Sequence, residues 1–176
     1  MTIQEVVAII DRSGSMRGKE EDTVGGINVA ISELKKQKSD EDIIRISIKL
    51  FDNEQLMKLR SVDIIEVEEF PVSEFVPRGS TALYDAIGDT LKFFIDKKTC
   101  DSTSYDSCLI YVASDGLENA SIKYTSHSLK SMIATAESKY NINILYLGAN
   151  QDAIMQANNI GIRPEHAINY NENNLA

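Results

Sequence analysis

The sequence predicts a doubly wound α/β domain, in which helices cover both faces of a mostly parallel sheet. Strand-like segments alternate along the chain with segments of helical periodicity, which is typical of parallel sheets built from crossover units. The chain has 176 residues, of which 43% are hydrophobic, and this suits one substantial core. We therefore expect a single domain over residues 1–170 and a frayed, Asn-rich tail over residues 171–176.

The first half of the chain begins with a strand and continues with a helix and a hairpin. Residues 4–10 contain an unbroken apolar run, which is typical of a buried strand. Residues 22–38 carry an apolar stripe at helical spacing, with acidic residues at the start and lysines at the end, as the helix dipole favours. Ile43–Phe51 alternates in polarity, and residues 55–62 follow it after a tight turn, which indicates a hairpin.

The second half repeats this alternation. After an acidic loop at residues 66–77, apolar spacing predicts a helix over residues 81–96 and then a mobile polar loop over residues 97–107. The remaining elements are predicted as a strand, a helix, a strand, a short helix and an edge strand, at residues 108–114, Ser126–Tyr140, residues 142–147, residues 149–158 and Ala167–Asn169.

The overall charge narrows the class of partner. The formal net charge of −9 argues against nucleic acid and against an anionic membrane surface. No apolar run reaches the roughly 18 residues of a membrane span, and no signal peptide is visible. We therefore expect a cytoplasmic protein. The two cysteines, Cys100 and Cys108, are expected to be reduced in that compartment.

Oxygen-bearing side chains cluster directly after the first strand. Asp11, Ser13 and Ser15 stand where that strand opens into a loop, which in an α/β sheet is the ligand-binding edge. Short side chains with oxygen atoms are the ligands that a hard divalent cation prefers. Taken alone, this loop favours a turn stabilised by side-chain caps, and it also permits a phosphate acceptor at Asp11 or a metal site.

Two further residues stand at equivalent positions in the predicted fold. Asp115 follows the strand at residues 108–114, and Thr81 begins the helix that leads into it. If the two strands are neighbours, their carboxyl ends form a crevice, and the loop that bears Thr81 crosses near it. Five oxygen ligands from three loops would then surround one ion.

This pattern resembles the metal-ion-dependent adhesion site (MIDAS) of von Willebrand factor A (vWA) domains, which combines D-x-S-x-S with a distant Thr and a distant Asp. The sequence is similar over nearly its whole length, and most of all to small stand-alone members from bacteria and phages. Ser114 is a departure, because Thr often precedes the aspartate. The stretches that carry the resemblance outside the first loop are residues 79–86, 114–121 and 147–152.

The resemblance implies a Rossmann-like sheet of six strands with one antiparallel edge strand. It implies Mg²⁺ or Mn²⁺ held directly by Ser13, Ser15 and Thr81, with Asp11 and Asp115 acting partly through water. Such a site engages an Asp or Glu carboxylate of a partner protein. Intracellular relatives often serve as adaptors for AAA+ ATPases or in stress systems, so such a component is an expected partner. Relatives outside the cell usually carry disulfides near the domain ends, and these are missing here.

The alternative function is a Mg²⁺-dependent phosphoryl transferase or hydrolase that uses Asp11. A haloacid-dehalogenase-type site needs a second acid two residues later, where Ser13 stands instead. A glycine-rich phosphate loop with its lysine is missing, and the sequence indicates no Ser-His-Asp or Cys-His arrangement. We therefore expect a binding module and not an enzyme.

Other polar residues have open or structural interpretations. Arg12 and Arg78 flank the predicted ion and either recognise an acidic partner or neutralise nearby carboxylates. Asp85 lies one helical turn after Thr81 and either supports the site or makes a hydrogen bond at the edge of the core. The acidic residues at 20–22 are expected to form a solvated first helical turn. His127 and His166 are expected at the surface.

Overall fold

The computed structural model describes residues 1–169, so the tail predicted at residues 171–176 lies outside the described residues. In the described part, six strands and four α-helices alternate along the chain. The strands are β1 (Ile3–Asp11), β2 (Ile43–Phe51), β3 (Gln55–Asp63), β4 (Ser107–Ser114), β5 (Ile142–Gly148) and β6 (Ala167–Asn169). The helices are α1 (Glu20–Gln37), α2 (Leu83–Cys100), α3 (Ser126–Tyr140) and α4 (Gln151–Asn159).

The strands form one sheet in the order β3–β2–β1–β4–β5–β6. β3 runs antiparallel to β2, and the other neighbouring pairs are parallel. The prediction of a mostly parallel, six-stranded sheet with one antiparallel edge strand is therefore confirmed. The order changes direction between β1 and β4, because β2 and β3 lie on one side of β1 whereas β5 and β6 lie beyond β4.

Helices cover the two faces of the sheet unequally. On one face, α2, α3 and α4 pack over a core that includes Ile9, Ile110 and Tyr146. On the other face, α1 and the segment over residues 64–75 pack over β1, β2 and β3, around residues such as Val6 and Ile46. The residues of β4 and β5 that point to the α1 side are only half-buried. The predicted arrangement with helices on both faces is confirmed, with most of the helical cover on one side.

Helix α2 differs from the prediction at both ends. The sequence predicts a helix over residues 81–96 and a polar loop over residues 97–107, whereas α2 spans Leu83–Cys100. The predicted loop is therefore wrong for its first four residues. The physical reason is that lysines of this segment have partners inside the fold. Lys98 donates to the backbone carbonyl of Tyr105, whose side chain is fully buried.

A buried ion-pair cluster holds the amino-terminal half of β1. Glu5 is 0% exposed, and Lys97 of α2 lies 2.5 Å from its carboxylate. Ser61 of β3 donates a hydrogen bond of 3.0 Å to Glu5, and an Arg45 nitrogen lies 3.7 Å away. Ser61 has φ +47°, a left-handed conformation that is uncommon outside glycine. The cluster therefore ties three strands to α2 through one carboxylate.

Lys49 of β2 is a second buried charge, and it titrates abnormally. Burial lowers its pKa from 10.5 to about 8. The ammonium donates to Gln55 Oε1 and Thr90 Oγ1, each at 2.8 Å. Because the folded pKa is the lower one, the unfolded chain binds more protons between these two pKa values. The contribution of Lys49 to the free energy of unfolding therefore rises with pH across that window.

We expect Lys49→Met to remove this rise. Urea unfolding measures the free energy of unfolding of the wild type and of the variant at pH 8 and at about pH 10. Between these two pH values, the wild type should gain at most ~2 kcal/mol relative to the variant. Comparison with the variant is necessary because tyrosines also titrate in this range. Lys139→Met replaces an exposed lysine as the control. Its free energy of unfolding should differ from that of the wild type by the same amount at both pH values. A constant difference for Lys49→Met as well would contradict the prediction.

Across residues 1–169, no helix is both long and apolar enough to cross a lipid bilayer. Cys100 is exposed at the end of α2, Cys108 is buried in β4, and neither forms a disulfide.

Candidate functional site

The two carboxylates predicted for the site lie at the same edge of the sheet. β1 and β4 are parallel neighbours, with Ile10 beside Ala113. β1 ends at Asp11, and Asp115 directly follows β4. The strand order changes direction between these two strands, and open α/β sheets bind ligands at such a switch point.

Asp11 is fully buried, and both of its carboxylate oxygens accept hydrogen bonds. The backbone N–H of Ser13 donates to Oδ1 at 2.6 Å, and the hydroxyl of Ser114 donates to Oδ2 at 2.6 Å. Burial raises the pKa of Asp11 above its usual value, although these hydrogen bonds act in the opposite direction. A cation beside Asp11 would favour the ionised form. The carboxylate therefore fixes the start of the loop and lies where positive charge would stabilise it.

The two serines and Asp115 form a continuous chain of oxygen atoms. Ser13 Oγ lies 3.1 Å from Ser15 Oγ, and Ser15 Oγ donates to Asp115 Oδ1 at 2.7 Å. Residues 14–16 form a single 3₁₀ turn, which places the Ser15 hydroxyl against Asp115. The D-x-S-x-S segment and the residue after β4 are therefore in direct contact.

Thr81 completes the cluster from the third segment. A Cβ built on Gly116 would lie 3.1 Å from Thr81 Oγ1, 3.5 Å from Asp11 Oδ2 and 3.7 Å from Ser13 Oγ. These three oxygens thus converge on a small space that the absence of a side chain at position 116 leaves clear. Thr81 precedes α2, and its hydroxyl lies within the predicted crevice.

The spacing and chemistry of the cluster fit a hard divalent cation. Oxygen ligands at 2.0–2.1 Å in octahedral geometry lie about 3 Å from their neighbours. The two oxygen pairs that Ser15 forms measure 3.1 and 2.7 Å. Over residues 1–169, no group of three or more His, Cys, Asp or Glu side chains is placed to hold a metal ion, so hydroxyls are essential to this candidate. The structure brings the five predicted residues together, and their role as ligands stays a prediction.

Lys19 contacts the cluster, and no pattern in the sequence predicts this contact. Its Nζ lies 2.6 Å from Asp115 Oδ2. The two residues are 96 positions apart, and no local pattern relates them. The ammonium supplies positive charge to the carboxylate that belongs to the proposed ion site.

The loop after β4 is fastened to the start of α2 by two residues that sequence reasoning missed. Glu118 Oε2 accepts the backbone N–H of Tyr84 at 2.9 Å, and Oε1 accepts the N–H of Ser121 at 2.6 Å. Asn119 Oδ1 accepts the N–H of Thr81 at 2.8 Å, and the Asn119 N–H donates to the Thr81 carbonyl at 3.0 Å. The side-chain acceptors Glu118 and Asn119, three and four residues after Asp115, were the available signal for this role.

Arg12 and Arg78 both form ion pairs with Asp52. The Nε atom of each lies 2.9 Å from Asp52 Oδ2, and Asp52 is fully buried. The geometry supports neutralisation of a nearby carboxylate, one of the two roles that the sequence left open. Asp52 appeared in the sequence only as a turn residue. It fixes the entry to the loop that carries Thr81, because its carbonyl accepts the N–H of Ala82 at 2.9 Å.

Asp85 makes hydrogen bonds at the edge of the core and does not join the oxygen cluster. Its carboxylate accepts the backbone N–H groups of Ile122, Lys123 and Tyr124 at 2.9 to 3.0 Å. It therefore anchors the far end of the loop after β4, which is one of the two roles expected for it.

The remaining polar residues lie apart from the cluster. The acidic residues at 20–22 form the first turn of α1, where Glu21 and Asp22 are exposed. His127 is exposed, as expected, whereas His166 is half-buried.

Comparison with known proteins identifies the fold. No protein-family model matches the chain, and no curated protein sequence matches it. The von Willebrand domain of the type V pilus tip protein Mfa5 from Porphyromonas gingivalis superposes with a TM-score of 0.68 at 13% identity, over 99% of this chain and 91% of that one. Manganese-loaded TRAP protein from Plasmodium vivax gives a TM-score of 0.67 at 17% identity, over 96% of this chain and 68% of that one.

Proximal thread matrix protein 1 from the mussel byssus, with a zinc-occupied MIDAS motif, gives a TM-score of 0.68 at 12% identity and covers 97% of this chain. This chain spans less than half of the length of that protein, at 44%. These identities are too low to transfer an activity, but the shared architecture extends over nearly the whole chain. The chain therefore has the von Willebrand factor A fold.

Proposed function

We propose that this chain is a metal-dependent protein-binding module that engages an Asp or Glu carboxylate of a partner protein through a bound divalent cation. The observation that carries the proposal is the convergence of the Thr81, Asp11 and Ser13 oxygens beside Gly116. Zinc and manganese in the mussel and Plasmodium structures of the same fold support it. The residues that would hold Mg²⁺ or Mn²⁺ are Asp11, Ser13, Ser15, Thr81 and Asp115.

The composition of the site favours an additional carboxylate as ligand. Three neutral hydroxyls and two carboxylates leave a divalent ion able to attract a further anion. Asp11 is oriented by its two hydrogen bonds, and Ser15 is oriented by Asp115. Lys19 partly neutralises Asp115, which further lowers the negative charge that an approaching acidic residue would meet.

Binding, and not catalysis, is the proposed role of the site. A carboxylate that accepts a phosphoryl group needs an oxygen directed at the phosphate donor. Asp11 is 0% exposed, so a bulky phosphate donor has no approach to its carboxylate, whereas a small ion among the neighbouring oxygens does not need one. Incubation with acetyl phosphate and Mg²⁺ tests this, and phosphorylation of Asp11 or release of phosphate would contradict the proposed binding role.

Paired substitutions of Thr81 test the metal site directly. Thr81→Val keeps the β-branched shape and removes the hydroxyl, whereas Thr81→Ser keeps the hydroxyl. We expect the valine variant to bind Mn²⁺ about 10- to 100-fold more weakly, or worse, because the loss of even an outer partner of a metal ligand costs that much. The serine variant should stay close to the wild type. Calorimetric titration with Mn²⁺ measures both affinities.

Equal Mn²⁺ affinity in the valine variant and the wild type would remove Thr81 from the ligand set.

The carboxylate requirement needs a separate measurement. Proteins that this chain captures from a lysate of the native host in Mg²⁺ should be released by EDTA. Replacing acidic residues on the bound surface of such a partner, Asp with Asn or Glu with Gln, should abolish its capture. Capture that survives EDTA would overturn the metal-bridged model.

The cellular setting belongs to the same proposal. We place the module in the cytoplasm as an adaptor, with an AAA+ ATPase or a stress-system component as the expected partner. The free thiols of Cys100 and Cys108 are in keeping with a reducing compartment.

A further inference from the structure

A cavity of about 240 Å³ lies between α2 and the hairpin formed by β2 and β3. Lys49 of β2 and Met57 of β3 line it from the sheet, and Thr90 and Phe93 line it from the helix. Phe93 is 37% exposed, so the cavity opens to solvent beside its ring. All of the lining residues belong to β2, β3 and α2, whereas the residues of the proposed ion site lie at or after the ends of β1 and β4 or precede α2. The cavity is therefore separate from that site.

Lys49 places a buried ammonium in the wall of this cavity. The residue is 6% exposed, and lysine is seldom buried to this extent without an ionised partner. The acceptors of its hydrogen bonds, Gln55 Oε1 and Thr90 Oγ1, are neutral groups that also line the cavity. Within residues 1–169, these acceptors use two of the three N–H groups of the ammonium. An anionic group in the cavity would supply a third acceptor and a compensating negative charge.

The charged side chains around Lys49 leave an excess of positive charge. Asp89 also lines the cavity, but its Oδ2 atom accepts hydrogen bonds from Lys123 and Gln55, each at 2.8 Å. Burial lowers the pKa of Lys49, and the positive charges of Arg60 and Lys123 act in the same direction, against the effect of Asp89. Three of these side chains are cationic and one is a carboxylate, so electrostatics favours an anion over a neutral or cationic ligand.

The remainder of the cavity wall is apolar and largely aromatic. Met57, Phe93 and Phe94 line it, and the two phenylalanine rings meet edge to face with their centroids 5.0 Å apart. The guanidinium of Arg60 lies 5.1 Å from the centroid of Phe93, at the exposed end of the cavity. A cavity of about 150 Å³ holds benzene in other proteins. The space here therefore accommodates one aromatic ring together with a small polar group.

We propose that this cavity binds a small aromatic carboxylic acid as its anion, with the carboxylate beside Lys49 and the ring against Met57 and Phe93. The carboxylate accepts a charge-assisted hydrogen bond from the ammonium. The ring removes apolar side-chain surface from water, and a few polar groups in a mostly apolar wall are typical of sites for small molecules. This binding needs no metal ion and goes beyond the metal-dependent role proposed above.

The probe is para-fluorobenzoate, whose binding to the full chain is measured by titration with fluorine NMR. Two analogues each lack one feature that the cavity recognises. Para-fluorobenzyl alcohol keeps the ring without the charge, and trifluoroacetate keeps the charge without the ring. We expect saturable binding of para-fluorobenzoate, and affinities about tenfold weaker or worse for the alcohol, because a hydrogen bond to a charged group contributes about that factor. Trifluoroacetate should also bind more weakly, because it leaves the aromatic wall in water.

Two pairs of variants test the position of the ligand. Lys49→Met removes the ammonium, and Lys139→Met is its control at an exposed lysine. Met57→Trp fills the cavity from β3, whereas Leu56→Trp places the same side chain on the opposite face of that strand. We expect Lys49→Met and Met57→Trp to weaken binding of para-fluorobenzoate about tenfold or more. The two control variants should bind it as the wild type does.

The pH dependence of binding to the wild type tests Lys49 without any substitution. The pKa of Lys49 is about 8, so about nine tenths of the side chain is protonated at about pH 7 and about one tenth at about pH 9. The affinity should therefore fall about tenfold between these pH values. Arg60 stays protonated throughout. The charges of Asp89 and Lys123 are also constant in this range, because the pKa of the carboxyl group is lowered and that of the ammonium is raised.

Several results would overturn the proposal. They are absence of saturable binding, equal binding of the alcohol or of trifluoroacetate, equal affinity at the two pH values, and full binding by Met57→Trp. Asp11→Ala should bind para-fluorobenzoate as the wild type does, and EDTA should leave the affinity unchanged. Loss of binding in either case would assign the anion to the metal site and not to this cavity.

Discussion

We expect Mg²⁺ or Mn²⁺ to stabilise this protein, and we expect replacement of Asp11 with alanine to abolish that stabilisation. An ion that binds only the folded state adds about 2.7 kcal/mol at 100 times its Kd. For a chain of this length, that corresponds to a rise in Tm of about 5–11 °C. The effect of the substitution should be complete because Asp11 is both a predicted ligand and the residue that fixes Ser13 and Ser114.

The measurement is the difference in Tm between metal and EDTA, taken for each variant separately. This difference cancels any change in the stability of the metal-free protein. Asp40→Ala is the control, because it removes the same charge from an exposed carboxylate that precedes β2 at the opposite edge of the sheet. Asp40→Ala should keep the full metal-dependent rise. A rise of the same size in Asp11→Ala would show that the ion binds elsewhere.

Lys97→Ala is expected to lower the free energy of unfolding by about 3–5 kcal/mol, because it leaves the buried carboxylate of Glu5 without its close partner. Lys97 lies 2.5 Å from Glu5, whereas Arg45 is 3.7 Å away and more poorly placed to compensate. The corresponding fall in Tm is about 6–20 °C. Urea unfolding and thermal melting both measure the change.

Lys92 supplies the matched control on the same helix. It pairs with Asp96 at 2.6 Å, but both side chains are more than half exposed. Lys92→Ala should therefore cost only about 0.3–0.5 kcal/mol. Replacing both members of the buried pair, as in Glu5→Leu with Lys97→Met, should cost less than Lys97→Ala alone. Equal losses for the two single lysine variants would contradict the importance of burial.

The fold was predictable because its elements have clear periodicity. Ile43–Phe51 and Ser126–Tyr140 have the same bounds in the structure as in the prediction. The end of α2 was not predictable, because the residue that binds Lys97 lies 92 positions away in β1. Local polarity indicates solvent exposure, and only the three-dimensional contact shows that the lysine lies over a buried acid.

The site was predictable to the extent that strand ends and short motifs define it. Asp11 and Asp115 follow from the two strands that precede them, and the neighbouring position of those strands is confirmed. The contacts of Lys19 and Asn119 span 96 and 38 positions and leave no pattern along the sequence. Sequence thus indicates the oxygen atoms, whereas the structure supplies the residues that hold them in position.

The hydrogen bonds of Glu118 and Asn119 have a consequence for how this chain tolerates change in length. Surface loops usually accept insertions and deletions. The loop after β4 is an exception, because Glu118 must reach the first turn of α2 while Asn119 meets Thr81. One added residue between Asp115 and Glu118 would move both side chains out of register with these partners and leave Thr81 held only from the side of Asp52. Homologues that keep the site should therefore vary in length elsewhere, such as between α2 and β4, and keep this loop at constant length.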